Sequence, residues 1–476
     1  MAARSTTIRT VAFISLGCPK NLVDSERMLG LLAQDGLTIT NDPARADAIV
    51  INTCGFLEAA KDESLEAIRQ AVAFKQTGRC QRVVVAGCLA QRHKTRLLEE
   101  VPQIDRLVGV FDREHIVPAV RDLATRGPQD GHYLGKYHKL SKGAPAGAAV
   151  EAQQSFDDRA RLRLTPRHFA YLRISEGCSQ GCSFCTIPSI RGPMRSKPPQ
   201  QILAEAHELA ADGAVELNLI GQDTTSYGKD IGYEPGLAGL LRLLDRELGE
   251  VPWLRLMYAY PSCFSDEMID AMAQCQRVVK YIDIPLQHID DQVLLRMRRR
   301  VTRQQTEALL RKLRQCIPEL AIRTTFITGS PGETDQQHQA LLQFVREFRF
   351  DMMGVFAYSR EEGTAMGRMD RQVPDQVKQQ RLAELMLAQQ EIAFAKARSA
   401  TGSQLKVLID RRAGRAPEDG WIARSAAQAP EIDPVVRLHG RKLHVGQMLD
   451  VTIVGSEGYD LLAEVPPCRP KLRVLP

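Results

Sequence analysis

The chain has no run of eighteen apolar residues, the length a helix needs to cross a bilayer, and residues 1–10 lack the apolar core of a secretory signal. The expectation is a cytoplasmic protein with no membrane partner. No charge sign dominates either: 63 Lys and Arg against 57 Asp and Glu leave a formal +6, which neither demands nor excludes nucleic acid. What the sequence does have is length and cysteine. Its 476 residues, 44 % hydrophobic and 25 % charged, are enough for three ordinary domains whose cores need no disulfides. Eleven cysteines in a reducing compartment then point to metal or redox chemistry.

A further shortage is local. Glu176-Gly177-Cys178-Ser179-Gln180-Gly181-Cys182-Ser183-Phe184-Cys185 spaces three cysteines as C-x3-C-x2-C, and no fourth Cys or His follows at a short, regular interval. Thiolates are soft ligands, and a 4Fe–4S cluster ordinarily takes four of them. Three leave one iron open to bind and activate something. A zinc knuckle would close with a fourth donor, so the spacing favours a cluster over zinc, and both over inert core thiols.

Upstream, an apolar strand over 10–16 runs into Gly17-Cys18-Pro19-Lys20-Asn21, with a helical pattern over 24–32. The unit recurs: a strand at 47–52 ends in Thr53-Cys54-Gly55 before a helix at 64–74, and a strand at 82–86 ends in Gly87-Cys88 before a helix at 94–100. Unbroken apolar strands alternating with helices imply a parallel sheet covered on both faces. Cys18, Cys54 and Cys88 each stand just past a strand's carboxyl end, and those ends share the edge where such sheets bind ligands. They should therefore meet as a second three-cysteine site. Cys80 precedes its strand and belongs to the opposite edge as an ordinary thiol.

Residues 126–163, rich in Gly, Ala, Pro and Gln, read as a partly mobile linker. From there six strands, at about 169–175, 215–221, 254–260, 281–284, 322–328 and 352–358, alternate with helices such as 201–211, a pattern that closes or nearly closes into a barrel active at the strands' carboxyl ends. After a long helix at 376–400 come five short strands, at 405–409, 421–424, 435–438, 449–454 and 461–465, which suggest a small antiparallel β-barrel of the oligonucleotide-fold kind. The fold class is thus α/β, with parts at 8–125, 164–398 and 399–468 and an exposed extension at 466–476. At the strand ends, Gln222, Gln287, Gly329 and Glu333 are candidate contacts, although turn formation or helix capping also explains them. Arg191 and Arg195 could pair with a carboxylate of a cofactor or substrate, or could be solvated. Cys263 reads as structural; His288 could act as a base, but reads better as a neutral, hydrogen-bonded imidazole.

With an aromatic before its last cysteine, Cys178-x3-Cys182-x2-Cys185 resembles the signature of the radical S-adenosylmethionine (SAM) family. The resemblance implies a partial six-unit barrel, SAM chelating the open iron, Phe184 beside the adenine, and Gln222, Gln287, Gly329 and Glu333 facing SAM. An electron from the cluster would split SAM into methionine and a 5'-deoxyadenosyl radical. With the trio Cys18, Cys54 and Cys88, the chain is similar to methylthiotransferases, whose second 4Fe–4S cluster carries the sulfur to be donated and whose C-terminal TRAM domain docks the macromolecular substrate. Gly17-Cys18-Pro19-Lys20-Asn21, Ser189-Ile190-Arg191-Gly192, Pro285-Leu286-Gln287-His288, Gly221-Gln222-Asp223-Thr224-Thr225 and Glu361-Glu362-Gly363-Thr364 look like the branch that modifies the aspartate β-carbon of the twelfth small-subunit ribosomal protein. Ser330 departs from it, where a larger apolar residue is commoner. The alternatives are the branch that modifies a tRNA adenosine, or a non-catalytic metal-binding adaptor on the ribosome. The enzyme reading implies an electron donor such as a flavodoxin.

Overall fold

The computed structural model describes residues 7–121, 132–136, 157–414, 420–440 and 443–466. The expected linker lies outside these apart from 132–136 and 157–163, as does the expected extension apart from Pro466.

β1 (Thr10–Ser15), β2 (Thr38–Thr40), β3 (Ala48–Thr53), β4 (Arg82–Gly87) and β5 (Arg106–Val108) form one parallel sheet in the order β2-β1-β3-β4-β5. β3 and β4 are buried along their whole length, which is why they read as unbroken apolar runs. The chain order reverses between β1 and β3, so a crevice opens there at the carboxyl edge. The first helix spans Pro19–Gln34 and does not wait until residue 24, because Pro19 at its start has a preset φ and no N–H to satisfy. Cys18 is consequently its N-cap, at the strand–helix junction itself. The helix expected over 64–74 runs Glu58–Thr77, and that over 94–100 is two short helices, Cys88–His93 and Arg96–Glu100, parted at Lys94 with φ +53°.

β6 (Phe169–Arg173) opens the middle part, and β7 (Ser175–Glu176) pairs antiparallel with β8 (Arg195–Ser196), clasping the cysteine loop between them. β9 (Glu216–Ile220), β10 (Trp253–Leu256), β11 (Val278–Asp283), β12 (Ala321–Thr328) and β13 (Met352–Ala357) join β6 in an open six-stranded parallel sheet, in the order β13-β12-β11-β10-β9-β6. Its helices pack on one side, Ile202, Leu241, Met272, Leu313 and Leu341 meeting Leu172, Leu219, Leu254, Ile282 and Phe326. The third strand stops at Leu256, short of the expected 260, because Tyr258 takes φ +61°, which no strand accommodates. The linker end is not loose where it is described: Asp158 is buried against Arg173, Arg113 and Lys197.

β14 (Gln404–Arg412), β15 (Trp421–Ser425), β16 (Val436–His439), β17 (Met448–Glu457) and β18 (Asp460–Glu464) close into a barrel in the order β14-β15-β16-β18-β17. It is not wholly antiparallel, since the β17–β18 hairpin folds β18 in beside β16, with which it runs parallel. Residues 426–433 beside this barrel reach into the open side of the six-stranded sheet. Glu431 accepts from Tyr171 Oη at 2.9 Å, Asp433 accepts from Tyr281 Oη at 2.8 Å, and the Ala426 carbonyl accepts from Arg255 at 2.7 Å. Among the described residues no helix is long and apolar enough to cross a membrane.

Candidate active site

β1, β3 and β4 are neighbours in their sheet, so Cys18, Cys54 and Cys88, one past each strand, stand side by side at one edge. Gly17 has φ +93°, and a Cβ on it would lie 2.9 Å from Cys54 Cβ, so the first two turns close on each other only because residue 17 has no side chain. Burial pushes the Cys88 thiol up to about 12; Arg191 opposes this, and negative charge on Cys18 and Cys54 adds to it. Cys80, one residue removed from the start of β4, is buried with its Sγ 3.3 Å from the Arg82 carbonyl.

The second trio sits on the loop between β7 and β8. Cys178 N donates to the Gly192 carbonyl at 3.1 Å, and Gly177, φ +79°, passes so close that a Cβ would lie 2.2 Å from the Pro193 carbonyl. Ser183 fixes the far side of the loop through the Met297 and Arg296 carbonyls, at 3.0 and 2.6 Å. Ile187 N points at Cys185 Sγ from 3.4 Å. Burial pushes Cys178 up to about 11 and Cys185 up to about 12. Cys182 Sγ lies 3.7 Å from Tyr260 Oη and 3.8 Å from Arg299 Nη1, and that guanidinium stacks over the Tyr260 ring at 4.0 Å. Gln180 Nε2 donates to Asp223 at 2.6 Å and stands 3.4 Å from Cys263 Sγ, so Cys263 adjoins the loop instead of being a remote structural thiol.

Between the trios lies a buried ionic seam. Arg191 is neither solvated nor open to a cofactor carboxylate, because the chain's own acids take it: Glu176 at 3.1 and 3.0 Å and Asp24 at 3.0 Å, while its Nη2 reaches Cys88 Sγ at 3.2 Å. Burial alone would raise the Glu176 carboxyl, but Arg191 and Arg173 hold it far below the ordinary range. Asp24, on the first helix, also receives Arg113 and Arg173, at 2.8 and 2.7 Å. A second tie joins Arg92 of the first part to Glu361, in the Glu-Glu-Gly-Thr motif, at 2.9 Å. Arg195 lies over the Phe111 ring at 5.5 Å.

The other expected contacts differ in what they leave open. Gln222 donates to Glu176 at 2.8 Å, and its Oε1 is buried with no hydrogen-bond partner. Gln287 takes φ +73° and likewise buries an unpartnered Oε1. Phe184 packs against Val293, Met297, Tyr358 and Met366. Glu333 is already engaged by Ser330 N at 3.0 Å, Thr328 Oγ1 at 3.1 Å and Arg381 at 3.1 Å; it does not cap the next helix, which Thr334 does with Gln337. The small Ser330 side chain fits that bonded turn, donating to Glu333 at 3.3 Å. Gly329 has φ +74°, and a Cβ there would strike Lys378. His288 is neutral as expected: burial, with Arg296 nearby, pushes it down to about 3, and its Nδ1 accepts from Asp290 N at 3.0 Å. Sequence reasoning assigned no role to Lys20, Glu176, Gln180, Asp223, Tyr258, Tyr260 or Arg299. The last strand-end residues, Asp223, Tyr258 and Tyr260, were within its reach, since barrel chemistry gathers at those ends.

Among the described residues no three His, Cys, Asp or Glu side chains converge to hold a single metal ion. A 4Fe–4S cube asks for something else, thiols on separate corners, and each trio offers three, graded from exposed Cys18 to buried Cys88 in the first and all half-buried in the second. The unpartnered amide oxygens of Gln222 and Gln287 suit a ligand carrying amine and hydroxyl donors, as SAM does.

Family profiles match over three stretches: Uncharacterized protein family UPF0004 at 10–109, Radical SAM superfamily at 172–345 and TRAM domain at 401–465. The solved structure of the radical S-adenosylmethionine methyltransferase TsrM from Kitasatospora setae shares the fold at a TM-score of 0.52 and 17 % identity, covering 76 % of this chain and 77 % of that one. Fold and site together define a radical SAM protein with a parallel α/β part before the barrel and a TRAM barrel after it. Ribosomal protein uS12 methylthiotransferases RimO from Desulfitobacterium hafniense, Syntrophotalea carbinolica and Geobacter sulfurreducens are 41, 43 and 42 % identical to this chain. These alignments cover 97, 96 and 96 % of this chain and 99, 97 and 98 % of the relatives. The chain belongs to the RimO family of ribosomal protein uS12 methylthiotransferases.

Proposed function

We propose that this chain methylthiolates the β-carbon of an aspartate in ribosomal protein uS12. Cys178, Cys182 and Cys185 hold one 4Fe–4S cluster, Cys18, Cys54 and Cys88 a second, and SAM binds at the first beside Phe184, Gln222, Gln287, Gly329 and Glu333. The observation that carries this reading is the pair of three-thiol sets at adjoining strand edges, joined by one arginine that touches Cys88 and Glu176. Bound there, the cofactors supply a radical able to break an unactivated C–H bond, and the sulfur and methyl that replace the hydrogen.

The chain's own residues hold and shield. Glu176, between Arg173, Arg191 and Gln222, anchors the start of the cysteine loop and turns Gln222 Oε1 toward a ligand amine or hydroxyl. Tyr260 and Arg299 steady Cys182. His288 stays neutral at physiological pH, and because its Nδ1 accepts from Asp290 N its one ring proton sits on Nε2, free to donate. Residues 426–433 close the open side of the sheet against water. The parts 8–125, 164–398 and 399–468 thus carry the second cluster, the SAM chemistry and the docking of substrate, in the cytoplasm and with a reduced donor such as a flavodoxin.

The test is anaerobic reconstitution, then incubation with SAM, dithionite and either uS12 or tRNA. Mass analysis should find one methylthio group on uS12 and none on the tRNA. Cys178→Ala should abolish 5'-deoxyadenosine; full turnover by that variant would overturn the assignment, and a wild type that makes none would leave only the adaptor reading.

A further inference from the structure

Lys20 follows Cys18 by two residues and is 7 % exposed. Its Nζ stands 3.1 Å above the centre of the Tyr258 ring, and among the described residues no carboxylate or carbonyl hydrogen-bonds it. A buried ammonium that no anion hydrogen-bonds destabilises the fold unless something arrives to pair with it. The negative groups within electrostatic reach are the Cys18 thiolate, given over to the proposed cluster, and Asp283 and Glu176, which are committed elsewhere. Asp283 accepts from Arg323 at 2.9 Å and from Tyr258 N at 3.3 Å, and Glu176 is held by Arg173, Arg191 and Gln222. Tyr258, which supports the ammonium, has the left-handed backbone of φ +61°, an outlier for an aromatic residue and the kind of strain that gathers at ligand sites.

We propose that the Lys20 ammonium takes the carboxylate of the residue to be modified, and so selects an acidic side chain for presentation between the two cysteine trios. The inference rests on the function proposed above. A carboxylate could also come from the methionyl end of SAM. The location argues for the target: Lys20 lies among Cys18, Asp283, Arg191 and Glu176, whereas the loop of the SAM-binding trio is lined by Gln180, Tyr260 and Arg299. The cation–π contact alone fixes the amine only loosely, which leaves it free to turn toward an incoming oxyanion.

The experiment uses the cluster-loaded full chain and two probes, uS12 and a uS12 form with asparagine in place of the target aspartate. Wild type should bind the aspartate form about 100-fold more tightly than the asparagine form, the scale of breaking one buried charge pair. Lys20→Met should bring the two affinities together while leaving the Kd for SAM within about twofold. Its Tm should be unchanged or higher, because the variant removes a buried amine that no carboxylate hydrogen-bonds among the described residues. Equal wild-type affinity for both forms would overturn the proposal, as would an aspartate preference retained in Lys20→Met, or a loss of SAM affinity as large as the loss for uS12. Should Lys20→Met fail to load iron, Lys20→Arg keeps the charge and must keep part of the preference. Failure of the broader reading looks different: wild type would then bind or modify neither uS12 form.

Discussion

Glu216 offers a quantitative test of how the TRAM barrel is fixed to the radical SAM part. Its carboxylate is fully buried between two equally buried guanidinium groups, Arg255 at 2.8 Å from the same sheet and Arg424 at 2.7 Å from the C-terminal barrel. Two unit charges about 4 Å apart attract by roughly 4 kcal/mol at an effective dielectric near 20, most of which offsets desolvation in the intact pair. Glu216→Gln removes the charge and keeps the shape. Arg424 would still have Asp410 at 2.7 Å, but Arg255 would keep in direct contact only the new amide oxygen, the Ala426 carbonyl and the Tyr281 ring, none of which carries a charge. Leaving one buried guanidinium uncompensated should cost about 3–5 kcal/mol. Because the chain has several parts and need not unfold in one step, hydrogen exchange over 421–433 reads the loss more directly than a single Tm.

The same residue fixes the sign of a pH effect. Burial would raise the Glu216 carboxyl, but Arg424 and Arg255 together hold it below its ordinary 4.5. A depressed pKa stabilises the fold above the ordinary value and loses that contribution as pH falls through the folded one. The advantage of wild type over Glu216→Gln should therefore be complete near neutrality and fade as pH falls below 4.5. Protection of 421–433 that drops by less than about 1 kcal/mol in Glu216→Gln would refute the reasoning. So would strict additivity with Arg424→Met, since two groups in direct contact must couple.

Gly17→Ala and Gly177→Ala should each empty one site, the first by driving a Cβ onto Cys54 and the second onto the Pro193 carbonyl; iron should fall from roughly eight to roughly four per chain in either case. Mössbauer and EPR spectra would show whether the cluster that survives differs between the two. Arg191→Lys withdraws the N–H that reaches Cys88 Sγ, so the potential of the cluster proposed at Cys18, Cys54 and Cys88 should drop by about 60 mV, the one-electron equivalent of a charge-assisted hydrogen bond of roughly 1.4 kcal/mol. An EPR-monitored titration in which both clusters shift equally, or neither does, would contradict that.

Much of this architecture could be read from local pattern. β3 and β4 announce themselves as fully buried apolar runs, and the rule that parallel strands share a carboxyl edge was enough to gather three cysteines scattered over seventy residues. β2 and β5 are three residues each, too short to leave a periodic trace. The left-handed turn at Tyr258 has no sequence signature, because an aromatic residue is the last one expected there. Arg191 was recognisable as a charged residue beside the cysteine loop, yet its partners, Asp24 and Cys88, come from helices of the first part. A pairing of that kind depends on how two parts dock, which no window of neighbouring residues contains. For the same reason Glu216 read as the edge of an apolar strand, and its bond to Arg424, on a barrel two hundred residues later, was invisible.

Why the joint between the two cysteine-bearing parts is ionic follows from what it must hold. An apolar seam would contribute as much stability or more, since burying ions costs nearly what their attraction returns, but greasy surfaces slide and repack with little penalty. Asp24, Asp158 and Glu176 against Arg113, Arg173 and Arg191 are directional: a shift of an ångström breaks several charged hydrogen bonds at once. Two clusters acting on one carbon, as proposed, would need that kind of fixed separation more than extra stability. Arg191 belongs to the seam and also touches a cysteine of the first trio, so the distance between the sites and the electrostatics of one of them are set by the same side chain. Any rearrangement that loosened the joint would alter the Cys88 environment with it, and the two properties should not separate by mutation at this position.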